Sequence, residues 1–72
     1  MEEKVKSEFL QTRPEFEVLS TIVGEGDSSA AYCHIRYKRP NEAQVYEVVW
    51  QYLKDRNGVW TLSHQDSPRR LD

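Results

Sequence analysis

His34, His64 and Cys33 are the groups of this 72-residue chain from which proton transfer, thiol chemistry or transition-metal binding would have to be built. A lone cysteine excludes an intramolecular disulfide, and the histidines lack ligand spacing, so there is no zinc signature and no metal or cofactor is expected. Cys33 has no basic neighbour on its strand face and reads as a small hydrophobe rather than an activated thiolate. Glu15 and Glu17 alternate along one strand, without the intervening cleft that a carboxylate pair needs for glycoside chemistry. The stretch GEGDSS at 24–29 lacks the Gly-Lys-Ser/Thr ending and following helix of a phosphate cradle. It reads as a hairpin loop, in which Glu25 and Asp27 could attract a cation weakly but offer too few ligands for a dedicated site. What remains is a polar set, His34, Arg36, Glu47 and Gln51 with Tyr32, Thr61 and Ser63, which is either a recognition surface or a solvated sheet face.

The elements that must position these residues are legible. A helix over 2–11 puts Val5, Phe9 and, less squarely, Leu10 on one side, and Pro14 ends it because Arg13 is pushed out of helical geometry. Beyond Pro14 the apolar residues alternate with period two, giving strands near 16–23, 30–38, 44–54 and 59–64 and an exit tail over 65–72, expected to be flexible. The breaks are GEGDSS, RPNEA at 39–43 and RNG at 56–58, the last suited to a three-residue hairpin loop with Gly58 in the left-handed position. The fold class is therefore α+β: one domain over 1–72, an N-terminal helix packed on a four-stranded antiparallel meander.

Register decides which face is which. A three-residue loop sets Tyr52 opposite Leu62 and Lys54 opposite Trp60, so that Trp60, Leu62 and His64 share a face with Tyr46, Val48, Trp50 and Tyr52. Arg36 opposite Glu47 adds Ala31, Cys33, Ile35 and Tyr37 to that face and makes an opposite-charge pair on the other. A helix of ten residues is about 15 Å long and about 10 Å across. Four strands span about 19 Å, and the third alone runs about 36 Å. Either the sheet curls strongly around the helix, or another molecule covers the remaining aromatics.

A net charge of −2 with scattered basic residues argues against a protein driven by phosphate neutralisation, so no nucleic acid is expected. No apolar run has membrane-spanning length and no secretory signal is visible, so the expected setting is the cytoplasm, with no membrane contact.

The helix followed by a long-stranded meander closing in Gly-x-Trp-x-Leu resembles the cystatin-like architecture. Residues 30–64 look like the C-terminal sheet of the nuclear-transport-factor-2-like superfamily, with Gly58-Val59-Trp60 opening the last strand. Members of that superfamily usually build a cone from several helices, and this chain has room for one. The resemblance implies an enzyme, a carrier or a dimerisation module; an enzyme or carrier would have its pocket completed by a second chain, with a small-molecule ligand and His64 as general base. Tyr46, Tyr52 and Asp66 would be its partners, at no recognisable spacing; the plainer reading is a histidine capping an aromatic core or facing solvent. True cystatins carry Gln-x-Val-x-Gly in an inhibitory loop; the nearest stretch is Ser20-Thr21-Ile22-Val23-Gly24, with Ser20 for the glutamine and Ile22 for the valine.

The expectation is thus a non-catalytic binding or assembly module, a homodimer or a subunit against a partner protein, or a piece of something larger. Tyr46, Trp50, Tyr52 and Trp60 would anchor its interface, since large aromatics carry most interface energy. A superfamily enzyme or carrier, and a cystatin-type inhibitor, are the alternatives.

Overall fold

Helix α1 spans Glu2–Thr12, with Glu2 and Glu3 at the positive end of its dipole and no cationic residue in its last turn. In the computed structural model, which describes residues 1–71, five strands follow: β1 Glu17–Asp27, β2 Ala30–Lys38, β3 Val45–Lys54, β4 Trp60–Gln65 and β5 Arg69–Leu71. All pairings are antiparallel, in the order β1-β2-β3-β4, and β5 also pairs with β3. α+β therefore holds, but the last rank of the sheet is divided. β4 covers the second half of β3, through Trp50–Lys54, and β5 the first, through Val45–Glu47. The side chain of Glu25, paired above with Asp27 as a weak cation attractor, lies outside the described residues.

The RNG hairpin forms as its spacing requires. Lys54 faces Trp60 and Tyr52 faces Leu62, and Gly58 takes φ 81°. Asp55 orders the loop, its carboxylate accepting from the Asn57 amide at 2.8 Å and the Val59 amide at 3.0 Å. Arg36 faces Glu47 as expected.

Three expectations fail, each for a local reason. First, β1 runs through most of GEGDSS to Asp27. The reversal is confined to Ser28 and Ser29 because the Asp27 carboxylate accepts from both the amide (2.8 Å) and the hydroxyl (3.0 Å) of Ser29. Second, β4 carries an irregularity after Leu62, so that His64 faces Gln51 and joins the face opposite the aromatics. Third, residues 69–71 are not a free tail but β5, held by Arg69 on Glu47 and by the Gln44 amide donating to the Leu71 carbonyl at 2.8 Å.

The core lies between α1 and the aromatic side of the sheet: Val5 and Phe9 from the helix; Cys33, Ile35 and Tyr37 from β2; Tyr46, Val48, Trp50 and Tyr52 from β3. Phe9 sits 4.9 Å from Tyr37 and 5.6 Å from Trp50, centroid to centroid. Phe16, Tyr37 and Tyr46 continue as a stacked row at 5.6 and 5.7 Å. Among the described residues no helix is long and apolar enough to cross a membrane.

The hairpin generates a prediction. Gly58→Ala forces an L side chain into the left-handed region and is expected to lower stability by about 1 kcal/mol. The shift in the urea midpoint reads it; an unchanged midpoint contradicts the loop geometry.

Candidate functional site

The residues expected to anchor an interface are interior. Tyr46, Trp50 and Tyr52 are 9%, 2% and 0% exposed, and Trp60 is partly buried against the same core. α1 does not cover them alone. The Arg13 guanidinium lies 4.8 Å from the Phe9 ring centroid and 5.7 Å from that of Trp50; Arg39 lies 4.4 Å from Tyr46, and the Lys54 ammonium 5.6 Å from Trp60. Arg13 thus covers the helix's own Phe9 together with Trp50, while Arg39 covers Tyr46 on β3 and Lys54 covers Trp60 on β4. Two polar contacts complete the closure: the Tyr52 hydroxyl donates to Glu8, and the Tyr46 hydroxyl donates to Glu42 at 3.1 Å.

Those contacts also remove reactivity. Burial, then the neighbouring Glu8 carboxylate, raises the Tyr52 phenol well above its ordinary value, while the Tyr52 hydroxyl lowers Glu8. Cys33 is fully buried, and burial pushes its thiol up, so no thiolate is available at neutral pH. His64 makes one contact of note, Nε2 to the Asp66 carboxylate at 2.8 Å, with both side chains more than half exposed. An orienting carboxylate is thus present, but the pair stands apart from Tyr46 and Tyr52 on the other side of the sheet. Among the described residues no three His, Cys, Asp or Glu side chains converge on a metal position.

The outer face is less plain than its letters suggest. Glu47, at its centre, is 4% exposed. Its Oε2 accepts from Arg36 Nε at 3.0 Å and its Oε1 from Arg69 Nη2 at 2.8 Å, with His34 Nδ1 at 3.8 Å. Arg69, then Arg36, holds this carboxyl below its ordinary value against the opposing effect of burial. Gln51 donates to the Tyr32 hydroxyl at 3.3 Å. The polar set His34, Arg36, Glu47 and Gln51 is therefore brought together around β2 and β3, and Arg69 is the member that sequence reasoning missed. A glutamate central on β3, with one expected cation and its carboxylate offering four lone pairs, was the available signal.

Two further features lie at the β1 end. Leu19 and Ile22 are 43% and 55% exposed, and with Tyr32 and Leu53 they are among the large apolar side chains left to water. An open cleft of about 200 Å³ runs between the first turns of α1 and β1, lined by Glu2, Glu3, Lys6, Val18, Leu19, Ser20 and Thr21. Ser20–Gly24 lies inside β1, opposite residues 32–36, and not in a projecting loop. No protein-family model matches the chain, and no curated protein and no solved structure matches it either.

The Glu47 network carries a signed pH dependence. Its carboxyl is lowered in the folded state, so its stabilisation is present above the ordinary glutamate pKa of about 4.3 and is lost as pH falls through the lower folded value. Glu47→Gln is expected to lower the urea midpoint at neutral pH and to speed amide exchange at 69–71. The midpoint gap from wild type closes as acid protonates the native carboxyl. A gap that persists unchanged through that acid range contradicts the network.

Proposed function

We propose that the chain is a small non-catalytic interaction module whose contact surface is the outer side of the sheet at its β1–β2 end. The observation that carries this reading is the inversion of the two faces. Of the aromatics suited to anchoring a partner, Tyr46, Trp50 and Tyr52 are buried in the core and Trp60 is partly buried against it, while Ile22, Tyr32 and Leu53 stand exposed on the other side. Tyr32 is diagonal to both across the ladder, since Gly24 and Gln51 flank it and Ile22 and Leu53 each lie two residues further along. An apolar group of this kind, rimmed by His34, Arg36 and Gln51, is the common form of a protein contact site. A homodimer through the aromatic face loses its rationale, because one chain covers that face.

We further read the helix-first, sequential sheet as cystatin-like in arrangement. An enzyme or carrier of the nuclear-transport-factor-2-like kind would need an open aromatic concavity, and α1 fills it here. A cystatin-type inhibitor would need its Gly-ended segment in a loop, and that segment is paired in β1.

The test places a photoreactive phenylalanine analogue at position 22 or, as control, at exposed position 7 on the helix. Illumination of the chain in its native cells is expected to give a discrete adduct from position 22 and none from position 7. Equal labelling from both, or none from position 22, contradicts the reading.

A further inference from the structure

β1 is the outermost strand of the sheet, with β2 on one side and, among the described residues, no strand on the other. Free edges are usually blunted by bulges, prolines or lysines, because an unpaired row of N–H and C=O groups will take another strand. β1 shows this protection only at its ends. Pairing with β2 is irregular between Val18 and Ser20 and again between Glu25 and Asp27. Between the irregularities the pairing is regular from Ser20 to Glu25, and its first five residues, Ser20-Thr21-Ile22-Val23-Gly24, form an uncharged run rich in β-branched residues and containing neither lysine nor proline. Five residues of edge strand, in which the N–H and C=O groups of alternate residues point away from β2, are therefore available, with Ile22 exposed on one side and the α1–β1 cleft on the other.

The flanks specify the occupant. Glu17 and Asp27 are exposed at the two ends of β1, Glu15 precedes it, and Glu2 and Glu3 line the cleft, where Lys6 supplies one opposing charge. A second copy of β1 is disfavoured: antiparallel pairing centred on Ile22 would set Glu17 of each copy opposite Asp27 of the other. The same arrangement favours a strand that is β-branched in its middle and cationic at both ends.

We propose, resting on the interaction-module reading, that β1 docks an extended segment of a partner protein, a short β-branched stretch flanked on both sides by lysine or arginine. The segment adds antiparallel to β1 between the two irregularities. Its backbone supplies affinity through the ladder, and its cationic flanks meet Glu15, Glu17 and Asp27 at the strand ends, with a further cation reaching Glu2 and Glu3 through the cleft.

The test uses the intact chain and a fluorescein-labelled peptide, Lys-Lys-Thr-Val-Thr-Val-Thr-Lys-Lys. Two control peptides carry glutamates in place of the lysines, or methyl groups on alternate backbone nitrogens. The lysine peptide is expected to bind, to weaken with salt, and to slow amide exchange within residues 20–24 but not within 69–71. The paired substitutions Glu15→Lys and Glu17→Lys, both on exposed side chains, are expected to weaken it about tenfold, the sum of two surface charge reversals. No binding by the lysine peptide, equal binding by its N-methylated form, or protection at 69–71 instead overturns strand addition at β1. Failure here with a discrete adduct still formed from position 22 removes only the docking mode; loss of the adduct removes the module reading itself.

Discussion

Everything in this fold turns on one aromatic ring placed where a short helix meets a long sheet. Phe9 is 1% exposed and lies within 6.1 Å, centroid to centroid, of Phe16, Tyr37 and Trp50, which come from the linker, β2 and β3. An eleven-residue helix is too short to persist alone in water, so α1 exists because this ring docks it. Removing such a buried phenylalanine typically costs about 3–5 kcal/mol, against a total stability of about 5–15 kcal/mol for small domains. Val5 packs one turn before it, and Glu8, between the two on the same face, reaches the Tyr52 hydroxyl. The helix is thereby fixed in rotation as well as in position.

From that docking follows the inversion of faces on which the functional reading rests. The helix packs on the β1–β2 part of the aromatic side, its side chains reaching Trp50 and Tyr52, and Arg13, Arg39 and Lys54 lie over Phe9, Tyr46 and Trp60. A sheet whose inner side is complete presents only its outer side and its edges to other molecules. At one edge, β5 is held on β3 by the Arg69–Glu47 pair. At the other, β1 shows no such brace among the described residues.

The pattern of apolar residues was enough to identify α1, β2, β3, the RNG turn and the Arg36–Glu47 register, because each depends on short-range periodicity or on a loop whose length fixes the pairing. What escaped depends on contacts that periodicity does not encode. The β4 irregularity shifts His64 to the other face by one residue, and alternation cannot signal an inserted residue. β5 is three residues long and holds its place through Arg69 and Gln44, both reaching partners distant in sequence. The aromatic surplus was an error of counting: only apolar side chains were admitted as cover, whereas arginine and lysine cover rings well. The candidate surface was half visible: its polar members and Tyr32 were recognised, while Ile22 and Leu53 were not assigned to it.

The central claim is that one chain completes its own aromatic core. Its most direct test is the urea midpoint, followed by tryptophan fluorescence, over a wide range of protein concentration. Unfolding linked to dissociation has a concentration-dependent midpoint, and unfolding of a self-sufficient chain does not. The account predicts one midpoint across an about hundredfold dilution. A midpoint that climbs with concentration would place a second chain on the aromatic face and contradict it.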